Sequence, residues 1–262
     1  MDLPSKYCIV TIPLVPLRAV PAEAGEMTSQ LLFGQIAEIL ETKDKWCKIK
    51  NVSDGYQGFA DRKTLTVLTE NDLEFQKTLK PVKISVPTST IRNAQKQPVI
   101  LTFGSTLWLN RENICLINRE KYTYDAAHTV DFASATADEI LGNAKKFINA
   151  PYLWGGKSMF GVDCSGLVQL VFANTGILLP RDAAQQAAAG ARIASIAAAR
   201  QGDLAFCENK DGKIVHVGIL LNNREIIHAS GCVKIESIDS KGIISLQTGE
   251  YTHKLSIIKR II

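Results

Sequence analysis

The stretch Asp163-Cys164-Ser165-Gly166-Leu167-Val168 decides how the C-terminal half of this chain folds. It begins a predicted helix over residues 164–175, because the apolar side chains that follow form a wide face and Gly176 stands where helices commonly end. A cysteine in the first turn of a helix lies beside unpaired backbone N–H groups and the positive end of the helix dipole. Both favour a thiolate, which is the reactive form of cysteine. Cys164 is therefore the candidate nucleophile.

Four histidines are candidates for a base beside that thiol. His128 and His253 lie in polar stretches, and we expect both on the surface. His216 and His228 lie in two predicted strands that are joined by a polar turn at residues 222–224. Because side chains alternate between the faces of a strand, a three-residue loop places both imidazoles on one face. One imidazole can then accept the thiol proton while the other orients it.

The elements around these residues indicate the fold class. Thr136 and Glu139, three residues apart, form a capping box that begins a helix, and an Ala/Gln-rich stretch predicts a helical piece within residues 183–199. Predicted strands follow at residues 203–207, 215–221, 225–229, 232–236 and 255–261. Helices followed by a run of antiparallel strands predict an α+β domain.

The first part of the chain has a different pattern, with short strand-like segments separated by Pro and Gly turns. A short internal sequence similarity relates Leu32-Phe33-Gly34 to Thr102-Phe103-Gly104. We therefore predict two tandem small β-barrels at residues 1–70 and 79–131, with a polar connector between them, and the α+β domain at residues 132–262.

Composition limits the classes of partner. The 262 residues carry a net charge of +4 without a run of like charges, so we expect no nucleic-acid partner. No apolar run is long enough to span a bilayer and no secretory signal is recognisable, so we expect no membrane partner. We expect a monomer in the cytoplasm, or in the periplasm or cell envelope if a leader has been removed. The six cysteines form no C-x-x-C pair, so we expect no metal and no cofactor.

Six short motifs follow one another in the second half of the chain. They are Tyr152-Leu153-Trp154-Gly155-Gly156, Asp163-Cys164-Ser165-Gly166-Leu167-Val168, Leu179-Pro180-Arg181-Asp182, Gly202-Asp203-Leu204, His216-Val217-Gly218-Ile219 and Ile227-His228-Ala229-Ser230. Their types and order resemble the NlpC/p60 family of cysteine peptidases over residues 132–262. The resemblance implies a papain-like α+β fold in which Cys164 is the nucleophile, His216 the general base and acid, and His228 the orienting third residue.

The upstream half extends the resemblance. SH3-like domains ahead of such a catalytic domain are typical of γ-D-glutamyl-L-diamino acid endopeptidases of the dipeptidyl-peptidase VI type. The resemblance implies a murein peptide substrate, L-Ala-γ-D-Glu-diamino acid, which must have a free N-terminal L-Ala and is cleaved to release L-Ala-D-Glu. Such an activity belongs to the recycling or turnover of cell-wall peptides. The residues are compatible with diaminopimelate or lysine after D-Glu.

The resemblance also assigns the substrate-binding residues. The substrate ammonium would be held by Asp163, with Glu26 and Tyr56 of the first SH3-like domain completing the pocket. Ser165 would donate to the D-Glu α-carboxylate, and the Tyr152 hydroxyl would stabilise the oxyanion together with the Cys164 N–H. Trp154 would form a cleft wall, and Arg181 and Asp182 complete the expected set. Ala183 departs from the subgroup, which often has a serine there that helps to hold the carboxylate.

Three alternatives stay open. The first is an endopeptidase that acts on intact cross-linked cell wall. The second is a non-catalytic wall-binding protein whose working part is the SH3-like pair. The third is an acyltransferase that uses the same thiolate. The second barrel diverges from the first in sequence, and a structural role is expected for it.

Overall fold

The computed structural model describes residues 6–131 and 135–262. These residues form two compact units. The first unit comprises residues 6–131 together with Gly155–Ser158, and the second comprises residues 135–154 and 159–262. The domain boundaries expected from the sequence stay predictions.

The first unit consists mainly of short strands. Its elements between residues 6 and 131 are β1 (Tyr7–Ile9), β2 (Leu14–Arg18), β3 (Met27–Leu32), β4 (Ile36–Lys43), β5 (Trp46–Asn51), β6 (Gln57–Asp61), β7 (Thr66–Leu68), α1 (Glu70–Lys77), β8 (Lys80–Ile84), β9 (Thr88–Arg92), β10 (Pro98–Thr102), β11 (Thr106–Leu109), β12 (Cys115–Ile117), β13 (Glu120–Tyr122) and β14 (Thr129–Val130), with short 3-10 turns at Arg62–Thr64 and Ala126–His128.

These strands form two series. The first series is one sheet in the order β3-β2-β6-β5-β4-β1-β7, and the second is a sheet in the order β13-β12-β11-β8-β14 with the hairpin β9-β10. The connector between the two series, expected to be polar, contains helix α1. It begins with a capping box in which Thr69 and Asp72 each accept the other's backbone N–H.

The two series share one hydrophobic core, to which Ile9, Phe33 and Leu68 contribute from the first series and Ile84 and Leu107 from the second. Backbone pairing joins them as well, because the Thr106 N–H donates to the Phe33 carbonyl at 2.8 Å. The indole N–H of Trp108 donates to the Gly34 carbonyl at 2.7 Å. Burial of common apolar surface therefore stabilises both series together.

The remaining part of the chain contains three helices and nine strands among its described residues. They are α2 (Ala137–Lys145), β15 (Lys157–Ser158), which belongs to the first unit, β16 (Gly161–Val162), α3 (Cys164–Ala173), α4 (Ala183–Gln186), β17 (Ala191–Ile193), β18 (Leu204–Glu208), β19 (Ile214–Leu220), β20 (Glu225–Ser230), β21 (Cys232–Ile238), β22 (Gly242–Ile244) and β23 (Tyr251–Arg260), with a 3-10 turn at Ile196–Ala198.

The main sheet of the second unit is antiparallel throughout, in the order β17-β23-β18-β19-β20-β21-β22. An additional pairing between β22 and β23 closes six of these strands into a ring. Helix α3 packs against β19 and β20, and α2 packs against α3. The capping box of Thr136 and Glu139 begins α2 as predicted. Helices followed by antiparallel strands confirm the predicted α+β class.

The helical piece expected within residues 183–199 is present but short. Helix α4 has only four residues, and after Gly190, whose φ is +70°, the chain pairs with β23 as strand β17. The backbone of β23 offers edge hydrogen bonds here, and this tertiary pairing overrides the helix propensity of an alanine-rich sequence. Among the residues that the structure describes, no helix is long and apolar enough to cross a membrane.

We predict that Gly34→Ala destabilises the first unit. Gly34 has a φ of +78°, and a Cβ placed there would lie 1.9 Å from the Thr106 carbonyl oxygen. Backbone strain and this clash together should lower the free energy of unfolding by about 3 kcal/mol in urea titrations. Gly212→Ala is the matched control, because Gly212 has a φ of +74° with nothing within 4 Å of its Cβ position. Its loss should be about 1 kcal/mol, and equal losses for both variants would contradict the packing argument.

Candidate active site

Cys164 is the first residue of α3, as the sequence predicts, and its side chain is 5% exposed. The N-cap of the helix is Asp163, whose Oδ1 accepts from the Gly166 N–H at 2.7 Å. The backbone N–H groups of Ser165 and Val217 act on the Cys164 sulfur in the direction that lowers its pKa. Val217 follows His216 in β19, so the start of α3 holds the thiol next to the strand of the candidate base.

The resting site favours a neutral thiol and a neutral imidazole. Burial, and after it the Asp163 carboxylate, raise the pKa of the Cys164 thiol, while the two backbone N–H groups and Arg181 act in the opposite direction, and the net value is about 11. Burial also holds the pKa of His216 well below its ordinary value. Desolvation therefore opposes the thiolate that the helix N-terminus favours. Cys164 needs a base that takes its proton as it reacts.

His216 and His228 lie together, as the strand register predicts. Strands β19 and β20 pair Ile219 with Ile227, which places the even-numbered residues of both strands on one face. His216 Nε2 and His228 Nδ1 are 2.9 Å apart, and the ring planes are nearly perpendicular at 88°. Both side chains are buried. Because His216 Nε2 faces His228, Nδ1 is the His216 ring nitrogen that remains to accept the thiol proton.

Gly218 makes room for this pair. By the register of β19 and β20 it lies opposite His228, and a Cβ added to it would lie 2.9 Å from the Cβ of His228 and 2.6 Å from Cδ1 of Ile226. Any larger residue would push against the orienting histidine or its strand neighbour. This steric constraint explains the glycine in the His216-Val217-Gly218-Ile219 motif.

Glu236 is a site residue that the sequence analysis missed. Its Oε2 lies 2.9 Å from His228 Nε2, and the carboxylate is 2% exposed. Its Oε1 accepts from the Leu246 N–H at 3.2 Å and lies 3.2 Å from Lys234 Nζ. The available signal was a charged residue at an even-numbered position of β21, on the face that His228 shares. Strand alternation identifies that face but does not identify the partner.

His253 corrects the expectation of a surface residue. Its half-buried ring stacks on His216, with centroids 4.1 Å apart and planes 28° apart. His216, His228 and His253 offer nitrogens within 4.8 Å of one another, a set that resembles metal ligands. Lone pairs lie in the ring plane, however, so two stacked rings direct them in parallel and not towards one ion. The hydrogen bond between His216 and His228 would also have to break before both rings could bind one ion.

The predicted amine acceptor Asp163 has a buried partner. Arg181 donates from Nη1 to Oδ1 at 3.0 Å and from Nη2 to Oδ2 at 2.5 Å. The same Nη1 lies 2.8 Å from Ser165 Oγ. All three side chains are buried, and a bidentate arginine offsets the desolvation of the carboxylate. The observed role of Arg181 is to hold Asp163 and Ser165, and the substrate contacts assigned to the three residues stay predictions.

Tyr152 lies within electrostatic reach of the nucleophile. Burial raises the pKa of its phenol, Cys164 and the Asp163 carboxylate act in the same direction, and the net value is about 12. The hydroxyl is therefore protonated and able to donate a hydrogen bond, as an oxyanion donor must. The Tyr152 backbone N–H donates to the Gly231 carbonyl at 2.9 Å, which fixes the segment. Trp154 is 57% exposed, as a cleft-wall residue can be.

The other predicted substrate-binding residues lie on the surface of their own units. Glu26 is exposed directly before β3, and Tyr56 packs against the core of the first strand series with its N–H bonded to Asp54. Asp182 is exposed at the start of α4. The assignment of these residues to substrate binding stays a prediction.

We predict that the free energy of unfolding decreases on acidification because His228 is buried. Burial lowers the pKa of His228 from 6.5 to about 4, so the unfolded chain binds more protons than the folded chain between these pH values. The free energy of unfolding should therefore decrease as pH falls from about 6.5 to about 4, by about 3 kcal/mol for this group. Urea titrations of native protein, of His228→Gln and of His128→Gln, a control outside the histidine pair, would measure it. The slope should flatten only in His228→Gln, and identical slopes would contradict the assignment.

Two parts of the chain match known families. Residues 149–252 match the NlpC/P60 family, and residues 17–65 match the bacterial dipeptidyl-peptidase Sh3 domain. The gamma-D-glutamyl-L-lysine dipeptidyl-peptidase of Bacillus subtilis is 29% identical over 252 residues, which cover 88% of this chain and 80% of that protein. Its namesake in Bacillus cereus is 26% identical over 262 residues, which cover 86% and 75%.

A solved structure has the same fold. An NlpC/P60 family protein from Bacillus cereus superimposes with a TM-score of 0.85 at 19% identity, covering 98% of this chain and 99% of that chain. With the geometry of Cys164, His216 and His228, these matches identify the catalytic half. The chain thus combines an N-terminal bacterial dipeptidyl-peptidase Sh3 domain with a C-terminal peptidase domain of the NlpC/P60 family.

Proposed function

We propose that this peptidase hydrolyses the bond between γ-D-Glu and the next diamino acid of murein stem peptides, releasing L-Ala-D-Glu from peptides with a free N-terminal L-Ala. The observation that carries the proposal is the combination of domains. Relatives named gamma-D-glutamyl-L-lysine dipeptidyl-peptidase align over most of the chain, well beyond the peptidase domain alone. The role that fits this activity is the recycling or turnover of cell-wall peptides.

The chemistry follows from the three catalytic side chains. His216 takes the thiol proton on Nδ1 as the Cys164 sulfur attacks the γ-carbonyl carbon of D-Glu. The tetrahedral intermediate collapses, the C–N bond breaks, and His216 gives the proton to the leaving amine. A water molecule, deprotonated by the same imidazole, then attacks the thioester and releases L-Ala-D-Glu with the thiol restored. The protonated Tyr152 hydroxyl and the Cys164 N–H would stabilise the oxyanion.

Asp163 and Glu26 would contribute unequally to the negative charge of the proposed amine pocket. Arg181 binds both oxygens of Asp163, so this buried pair is nearly neutral overall. Asp163 can accept a hydrogen bond from the substrate ammonium but offers it little net counter-charge. Glu26 would therefore supply most of the negative charge, with the Tyr56 hydroxyl as a further acceptor. This division makes Glu26 the most informative substitution for specificity.

We predict that native protein releases L-Ala-D-Glu from L-Ala-γ-D-Glu-diaminopimelate, L-Ala-γ-D-Glu-L-Lys or both. Parallel reactions followed by mass spectrometry would compare the two substrates, and Cys164→Ser should lower the rate at least about 10³-fold. Absence of dipeptide from both peptides would reject the proposal. Retained wall binding without selective alkylation of Cys164 by iodoacetamide would favour the non-catalytic wall-binding alternative. Peptide transfer to an added amine would indicate the acyltransferase.

A free N-terminal amine separates the proposal from the endopeptidase alternative. Acetylation of L-Ala removes the positive charge that Glu26 and Asp163 would bind and adds an acyl group to the proposed amine pocket, so we predict a loss of cleavage of about 100-fold or more. Glu26→Gln should raise KM for the free peptide. The control is Glu23→Gln, which removes an exposed carboxylate paired with Lys45 and should leave KM unchanged. Equal cleavage of acetylated and free peptides would favour an endopeptidase on intact wall.

A further inference from the structure

We propose that Glu236 is a positioning residue that sets the tautomers of His228 and His216, so that the catalytic unit is a chain of four residues. The inference deepens the proposed function, because it rests on His216 acting as the base for Cys164. Glu236 lies on β21, outside the three motifs that contain the cysteine and the two histidines. Its effect reaches the thiol only through both imidazoles.

The contacts form one continuous line. Glu236 Oε2 is 2.9 Å from His228 Nε2, and His228 Nδ1 is 2.9 Å from His216 Nε2. The three side chains are each at most 5% exposed, which gives solvent little access to their ring nitrogens. In such surroundings each buried donor needs its acceptor within the protein. Which nitrogen of each imidazole carries a proton therefore depends on the neighbouring group in the line.

The direction of the protons follows from the carboxylate. Burial by itself would raise the pKa of Glu236, but hydrogen bonds from Lys234, His228 and Leu246 lower it below its ordinary value. An ionised carboxylate only accepts, so His228 carries its proton on Nε2 and presents a bare Nδ1. That nitrogen accepts from His216 Nε2–H, which leaves His216 Nδ1 bare. A bare Nδ1 is what a general base for the Cys164 thiol requires.

The second oxygen of Glu236 makes glutamine a sharper probe than alanine. Oε1 faces two donors, the Leu246 N–H and Lys234 Nζ, each at 3.2 Å. A glutamine would turn its carbonyl oxygen to these donors and its NH2 group to His228 Nε2. His228 would then hold its proton on Nδ1, and His216 would be left with its proton on Nδ1 as well. Glutamine should therefore block the base, whereas alanine leaves space for water, which can accept the His228 proton.

The experiment compares Glu236→Gln with Glu236→Ala in the full chain, using murein tripeptide cleavage, the rate of Cys164 alkylation by iodoacetamide, and ¹⁵N NMR of the histidine rings. Glu208→Gln and Glu208→Ala are controls, because that carboxylate pairs with Lys254 and Ser256 and not with a histidine. We expect kcat to fall about 10³-fold or more in Glu236→Gln and about 10- to 100-fold in Glu236→Ala. KM should change by less than about 3-fold, and both controls should keep native kcat.

The tautomers give the result that a merely structural role would not produce. In native protein we expect both His216 and His228 as Nε2–H tautomers, and in Glu236→Gln both as Nδ1–H. A glutamine variant milder than the alanine variant, or with native tautomers, would overturn the proposal. The native spectrum tests it even if a variant fails to fold, since a proton on His216 Nδ1 in native protein contradicts it. Tautomers and alkylation need no peptide substrate, so they remain informative if murein peptides are not cleaved.

Discussion

The 2.9 Å hydrogen bond between His216 and His228 constrains much of the second unit. It requires β19 and β20 to be adjacent, antiparallel and paired in one register, since a one-residue slip would send one imidazole to the opposite face. The three-residue turn sets that register, and Gly218 removes the side chain that would otherwise press on His228. Helix α3 packs on these same two strands, which brings Cys164 to them.

Burial is what makes this arrangement both costly and specific. Imidazole, thiol and carboxylate groups lose hydration inside the unit, so each must find a partner there. The rings of His216 and His228 and the carboxylate of Glu236 meet that requirement through one another, with Lys234 and Leu246 completing the carboxylate. Desolvation also favours the neutral forms of the Cys164 thiol and the His216 imidazole. Cys164 can then react only if His216 takes the thiol proton during attack. Whether His216 can do so depends on which ring nitrogens of His216 and His228 carry protons.

Local patterns in the sequence predicted the local features of this site. Residue spacing predicts the start of a helix at Cys164 and the capping box that begins α2. It also predicts the strands of both histidines and the face that they share. Interactions between distant segments were missed. The stacking of His253 on His216 depends on how β23 pairs with β18 and β22, which alternation along one strand cannot indicate. The short α4 has the same cause, because pairing with β23 takes the residues that propensity assigns to a helix.

Asp163 lies beside the Cys164 thiol and is also a proposed substrate ligand, so its substitution would affect both the nucleophile and substrate binding. Its carboxylate caps α3 through the Gly166 N–H, directly beside the thiol, and competes with a thiolate for the positive end of the same helix. It therefore raises the pKa of Cys164, and Arg181 offsets part of that effect by binding both of its oxygens. A carboxylate so close to the nucleophile is tolerated because it is bound in this way. The same binding limits the charge that Asp163 can offer a substrate ammonium, which is why the proposed amine pocket includes a second carboxylate.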